Sequence, residues 1–204
     1  MAEVNLDDAN RAAAQNPFWA IRGHAIQAYA SLEQSLCLAF AQLSGIDEKI
    51  AGTIFFAIPG PQIRKVLEKL VTYRYGNNYD VFWRSFLKAL SQITETRNQI
   101  VHWLAPTFIG EEAGQPVISV ALVPPNIYAM NPNTQQLTVA DLLEFIAKCD
   151  VYSRCCNMFC LVIRGLMPPE QSKPWLDVFQ RLFDYPLPEG HPLSRRSPPP
   201  PTPG

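Results

Sequence analysis

The sequence has no surplus of charge of either sign. Its 17 basic and 18 acidic side chains leave a formal net charge of -1, and charged residues make up only 17% of the 204. Without a net positive field the chain is not a non-specific coat for nucleic acid or anionic membranes, and any phosphate site has to be built locally. Long apolar runs are missing as well: none approaches the about 20 residues needed to span a bilayer, so no membrane partner is expected. Met1 to Asn16 has no basic region leading into an apolar stretch, so this segment is not expected to act as a secretory leader. Nor is there a disulfide framework. The five cysteines, Cys37, Cys149, Cys155, Cys156 and Cys160, are odd in number, and four fall on one predicted helix. Together these absences point to a cytoplasmic protein. No cysteine has a histidine or a further cysteine at zinc-finger spacing. Cys156 and Cys160 lie one turn apart on an apolar stripe and read as core thiols, so neither metal nor cofactor is expected. Histidine is scarce: His24 has no catalytic neighbour in sequence and His191 lies in a proline-rich tail, which leaves His102.

What the chain does have is apolar periodicity. At 48% hydrophobic residues and this length it can bury one proper core. A first helix is predicted from Asn16-Pro17, cap and first-turn proline, with an apolar stripe of Ile26, Tyr29, Leu32, Leu36, Phe40 and Leu43 and a stop at Gly45. A second runs from the cap Asp47 to Ile58, and a third follows Pro59-Gly60-Pro61 through Val66, Leu70 and Tyr73 to Gly76. The fourth spans about Tyr79 to Leu104. The period then changes: Pro116 to Val123 reads as a β segment, and turns at Pro124-Pro125 and Asn131-Pro132-Asn133 predict a small hairpin. Thr138 with Asp141 forms a capping box for a fifth helix burying Leu142, Phe145, Ile146, Cys149, Tyr152, Cys156, Phe159 and Ile163. A last helix is predicted over Lys173 to Phe183, entered through Ser172. The expected fold is all-α, an antiparallel bundle of about five to six helices with a β-hairpin insertion. Residues 1–16 form an N-terminal extension, 17–183 the helical domain with its insertion at 105–137, and 184–204 a disordered, proline-rich tail.

The fourth helix carries the chemistry. Its apolar face reads Phe82, Phe86, Leu90, Ile93, Arg97, Ile100, Leu104, so Arg97 takes a slot where the pattern asks for an aliphatic side chain. A guanidinium on a core-facing stripe is unfavourable unless it is paired or lines a cavity. Asn98 and His102, four residues apart, share a face. Arg97 and His102, five apart, are offset by about 140° around an ideal helix. A long arginine can reach round this offset, and so can a second copy across a symmetric interface.

Arg97-Asn98-Gln99-Ile100-Val101-His102 resembles the Arg-Asn-x-x-x-His signature of the HEPN superfamily, an all-α group with many metal-independent ribonucleases, often toxins or antiviral effectors. The resemblance covers one six-residue motif and a helical context over roughly residues 17 to 183. It implies cleavage of RNA by attack of the ribose 2′-OH on the adjacent phosphate, leaving a 2′,3′-cyclic phosphate and a 5′-OH. It also implies roles. His102, whose ordinary pKa lies near neutrality, would move the proton. Arg97 would stabilise charge on the pentacoordinate phosphate through a bidentate fork that lysine cannot copy. Asn98 would orient the phosphate or the imidazole. The implied partners are RNA, a second copy in a homodimer, and a cognate antitoxin protein.

Other readings compete. Glu33, at the edge of the first stripe, is either a supporting polar residue of the site or a solvent-facing one. In a purely structural role it would close a buried ion pair with Arg97, while His102 would gain only from the helix dipole. Arg64, Lys65, Lys69, Arg84 and Lys88 either line an RNA path or form a solvated face. A non-catalytic HEPN-like domain binding a partner protein or a nucleotide is the alternative to an enzyme.

Overall fold

The computed structural model describes residues 17–112, 115–126 and 135–194. Among them are six helices and one two-stranded antiparallel sheet, an all-α architecture with a small hairpin. The helices are α1 (Phe18–Ser44), α2 (Glu48–Ala57), α3 (Gly60–Tyr75), α4 (Asp80–His102), α5 (Val139–Ile163) and α6 (Pro169–Phe179). Strands β1 (Thr107–Glu112) and β2 (Gln115–Val120) lie between α4 and α5. No described helix is long and apolar enough to cross a membrane.

Local signals place most helix ends where the sequence puts them. Gly45, at φ 75°, ends α1, and a Cβ there would meet the Arg74 guanidinium at 2.7 Å. That arginine donates from Nε to the Leu43 carbonyl at 2.8 Å, satisfying one of the last acceptors of α1. Asp47 caps α2 by accepting from the Lys49 and Ile50 amides. Thr138 and Asp141 form the expected box, with the Asp141 carboxylate 2.7 Å from the Thr138 amide nitrogen. The predicted cap Asn16 lies outside the described residues.

Four expectations need correction. Ile26, placed on the α1 core stripe, is 41% exposed, and Tyr73 of α3 is 86% exposed; Ile63, Leu67 and Val71 form the buried row of α3 instead. The hairpin partner of β2 precedes it: Thr107 pairs with Val120 and Glu112 with Gln115. Residues 121–123 leave that ladder and pair elsewhere, Val123 with Leu104 and Leu122 with Leu137. The turn expected at Asn131-Pro132-Asn133 lies outside the described residues. The last helix begins four residues early, because Pro168 and Pro169 occupy the cap and first-turn positions, where a missing N–H leaves no bond unmade. Ser172, read as its entry, is inside it, donating to the Pro169 carbonyl. Finally, the chain keeps packing beyond residue 184, up to a buried His191; residues 195–204 lie outside the described residues.

The chain separates into two compact units. The first holds residues 17–30, 93–112, 115–126 and 135–149 of the described chain, with Phe18, Ala25, Tyr29, Ile93, Ile100, Leu122, Val123, Leu142 and Phe145 buried. The second holds 31–92 and 150–194 and is dominated by aromatic rings. Phe159 of α5 sits among Tyr75, Tyr79, Phe82, Trp83 and Phe179, with centroids between 5.0 and 6.5 Å. The cysteines of α5 are all buried, and burial pushes the Cys149 and Cys155 thiols up to about 12.

His191 has an unusual setting in this second unit. It is 7% exposed, its ring meets Trp175 edge-on at 5.7 Å, and its Nδ1 accepts from the Leu193 amide at 3.2 Å. The ring is therefore neutral, with its proton assigned to Nε2, and burial lowers its pKa from the ordinary value. A histidine with a lowered folded pKa contributes stability that is complete above its unfolded value of about 6.5. That contribution is lost as the pH falls toward the folded value. Melting temperature is thus expected to drop as the pH falls below the unfolded value of about 6.5, with the slope reduced in His191→Phe; differential scanning calorimetry at stepped pH measures it.

Candidate functional site

The site is assembled in the first unit, from the start of α1 and the end of α4. Thr94 and Tyr29 share a hydrogen bond of 3.3 Å between their hydroxyls, which fixes a nearly buried phenol ring. The Arg97 guanidinium lies over this ring, its carbon 5.3 Å from the centroid. One of its amino groups donates to the Asn98 side-chain carbonyl at 3.1 Å. The misplaced arginine of the apolar stripe is therefore half-buried, held by a π face on one side and an amide on the other. Among the described residues no carboxylate forms an ion pair with it, so the buried ion pair of the structural reading is absent there.

Among the described residues the Arg97 guanidinium has no carboxylate partner and one hydrogen bond, from an amino group to Asn98. Asn98 is exposed, and with its carbonyl engaged by Arg97 its amide nitrogen remains a second donor. His102, the last residue of α4, is exposed and has no hydrogen-bond partner among the described residues. The structure thus brings Arg97 and Asn98 together, and among the described residues His102 forms no hydrogen bond with either. This matches the helical offset, which the rigid α4 does not relieve. Glu33 is half-buried on α1 and belongs to the second unit.

Sequence reasoning missed Arg22, which organises the end of α4. Its Nε donates to the Ile100 carbonyl at 2.9 Å, and one amino group reaches the carbonyls of Val101 at 3.1 Å and Trp103 at 3.2 Å. These are the acceptors that a helix C-terminus leaves unpaired, and a guanidinium also complements the negative end of the dipole. Burial lowers the Arg22 pKa, and the charge is retained at any ordinary pH. The same guanidinium lies 5.9 Å from the Trp19 ring. The only signal for this in the sequence is the Trp-x-x-Arg spacing on one helix face. Arg22→Ala is expected to destabilise the fold by about 1–3 kcal/mol, since three carbonyls lose a charged donor. Arg22→Lys should recover part of that loss, with urea denaturation as the measurement.

Basic residues read as an RNA path are partly committed elsewhere. Arg84 pairs with Glu68 at 3.2 Å and Asp80 at 3.1 Å on the exposed surface of the second unit. Two clefts of about 310 and 620 Å³ in that unit are lined from α5, α6 and the segment after Asp184, and contain none of the motif residues. Among the described residues no group of His, Cys, Asp and Glu side chains is clustered to hold a metal ion. No protein-family model, curated protein or solved structure matches the chain.

Proposed function

We propose that this chain is a metal-independent endoribonuclease of HEPN type, acting as a homodimer, with Arg97, Asn98 and His102 as its catalytic residues. The observation that carries the reading is the state of Arg97. A half-buried guanidinium without a carboxylate among the described residues, seated on a tyrosine face beside an exposed asparagine, is an anion site. An exposed imidazole one turn along from Asn98 supplies a proton carrier on the same helix face.

The chemistry follows from these groups. A neutral His102 takes the proton of the ribose 2′-OH as the oxygen forms its bond to phosphorus. The bond from phosphorus to the 5′-oxygen breaks, and a protonated imidazole gives that oxygen its proton. In a homodimer the two roles fall to the two copies of His102. Arg97 holds the equatorial oxygens while the negative charge on them grows. Asn98 adds an amide donor that fixes the phosphate relative to the guanidinium. The products are a 2′,3′-cyclic phosphate and a 5′-OH. A cytoplasmic RNA nuclease of this kind needs restraint, and a cognate antitoxin protein is the partner that would supply it.

Incubating the purified chain with structured and unstructured RNAs in excess EDTA tests the proposal. Cleavage whose new 5′ ends accept phosphate from a kinase and whose 3′ ends resist ligation supports it. A well-folded dimer that leaves every RNA intact would point instead to a non-catalytic domain that binds a partner protein or a nucleotide.

A further inference from the structure

After α6 the chain turns back along that helix as far as Ser194, and its two ends are fastened in different ways. At the first end Phe183 is buried against Phe82, Phe86 and Tyr152, and its amide donates to the Ser85 hydroxyl at 2.8 Å. Nothing in that hold titrates near neutrality. At the far end the hold is His191, 7% exposed, with its ring edge-on to Trp175 of α6. Three amides close the turn around it: His191 donates to the Pro188 carbonyl at 3.1 Å, Leu193 to the imidazole Nδ1 at 3.2 Å, and Ser194 to the His191 carbonyl at 2.9 Å. The other ring nitrogen, Nε2, is buried and has no hydrogen-bond partner among the described residues. An apolar ring would fill this place without leaving a polar atom in it, so packing alone does not ask for histidine. Two clefts flank the fastening and share Pro174 and Pro192 as walls. The one of about 310 Å³ lies between α6 and the returning segment and is bordered by His191. The one of about 620 Å³ lies between the end of α5 and α6 and is bordered by Trp175.

We propose that residues 184–194 form a proton-released strap, latched over α6 by a neutral His191, which swings free when the imidazole is protonated and joins the two clefts into one groove along Trp175. A proton arriving at Nδ1 turns an acceptor into a second donor facing the Leu193 amide, so that hydrogen bond is lost. The imidazolium is then a buried charge whose two N–H groups have no acceptor. The charged groups lining the two clefts are Asp177 of α6, Arg181 just after it, Asp184 and Glu189 of the strap, and Arg154 of α5. Among the described residues none of them forms an ion pair with the ring, so no counter-ion holds the charge in place. The protonated ring gains its missing partners by moving into water, and the bonds to Pro188 and Ser194 go with it. Burial lowers the pKa of this histidine for the same reason: the closed strap favours the neutral ring. Phe183, untouched by the proton, stays as the hinge.

Hydrogen–deuterium exchange of the full chain at about pH 7.5 and about pH 5, corrected for the intrinsic rate, tests the latch. Protection of the His191, Leu193 and Ser194 amides should fall roughly tenfold at the lower pH; one proton can supply at most about tenfold per pH unit below the unfolded value of about 6.5. The amides of Cys156 and Phe159, buried on α5, should keep theirs. Hydroxyl-radical oxidation of Trp175, read by mass spectrometry, should rise several-fold over the same range. In His191→Phe the amides of residues 191 and 194 should be equally protected at both pH values. His191→Leu, smaller and likewise without a titratable nitrogen, repeats the comparison where the larger ring does not fit. Unchanged protection in the wild type would overturn the proposal. So would an equal loss in both variants, which would assign the effect to Asp177, Asp184 or Glu189. A matching loss at Cys156 and Phe159 would also overturn it, since the whole unit would then be opening. Loss of protection without added oxidation of Trp175 would overturn the joining of the clefts.

Discussion

His102→Ala should lower the rate of RNA cleavage by roughly 10²- to 10⁴-fold, the usual contribution of a positioned acid or base. It should do so with little change in melting temperature, because the imidazole is exposed and has no hydrogen-bond partner among the described residues. The separation of the two readouts is what gives the result its meaning. A residue kept for its dipole interaction at the helix end would move stability by a few tenths of a kcal/mol and leave the rate alone. Arg97→Lys is the companion variant. It preserves the charge but removes the planar fork that would grip two phosphate oxygens and that lies over Tyr29, so cleavage should fall on the order of 10²-fold with modest loss of stability. Gel-based cleavage rates at saturating RNA, set beside calorimetric melting, measure both. A His102→Ala protein that cuts at the wild-type rate would remove the proposed mechanism.

Phe159→Ala should destabilise the chain by about 3–5 kcal/mol, the range for deleting a fully buried aromatic side chain. Phe159 is completely buried and touches five other rings drawn from α3, α4, α6 and the turn before α4. Those rings are themselves joined, Phe82 to Phe179 at 5.0 Å and to Phe183 at 5.7 Å, so the cavity cannot be closed by moving one of them alone. Phe159→Leu, which fills part of the space, should lose markedly less. Urea denaturation with a constant slope would show that the change lies in the folded state. A loss below 1 kcal/mol would mean that the cluster relaxes around the gap.

The helices and their limits were legible wherever the deciding interactions are local. Gly45, Asp47, Gly76 and the Thr138–Asp141 box act through neighbours within a turn, and the structure ends or begins helices at each of them. Apolar spacing likewise located most of the buried faces of α4 and α5, from Phe82 to Ile100 and from Leu142 to Phe159, but Leu104, also placed on the α4 face, is exposed, and Ile146 and Ile163 are only half-buried. It failed where partners are distant or the pattern is degenerate. Ile26 fits the α1 stripe by spacing, yet a stripe does not say where its covering ends. The segment before β2, with its glycine and two glutamates, was too polar to read as a strand, and only cross-strand pairing made it one. The proline-rich segment after Asp184 signals disorder by composition, but His191 finds Trp175 and a place to be buried.

The candidate site divides along the same line. That an arginine interrupts the apolar face of α4, with asparagine beside it and histidine one turn beyond the asparagine, is written in six consecutive residues and in the helical repeat. Where that guanidinium goes is not, because its partners are set by which helix lies across from it. Packing brings Tyr29, 68 positions away, under Arg97, and Arg22 to the carbonyls at the end of α4, 78 and more positions away. Among the described residues one arginine thereby has no carboxylate partner, while the other is consumed in holding a helix end. Local spacing can assign a charge to a face; only contacts between distant segments decide whether that charge is neutralised, used as a brace or left to meet an anion.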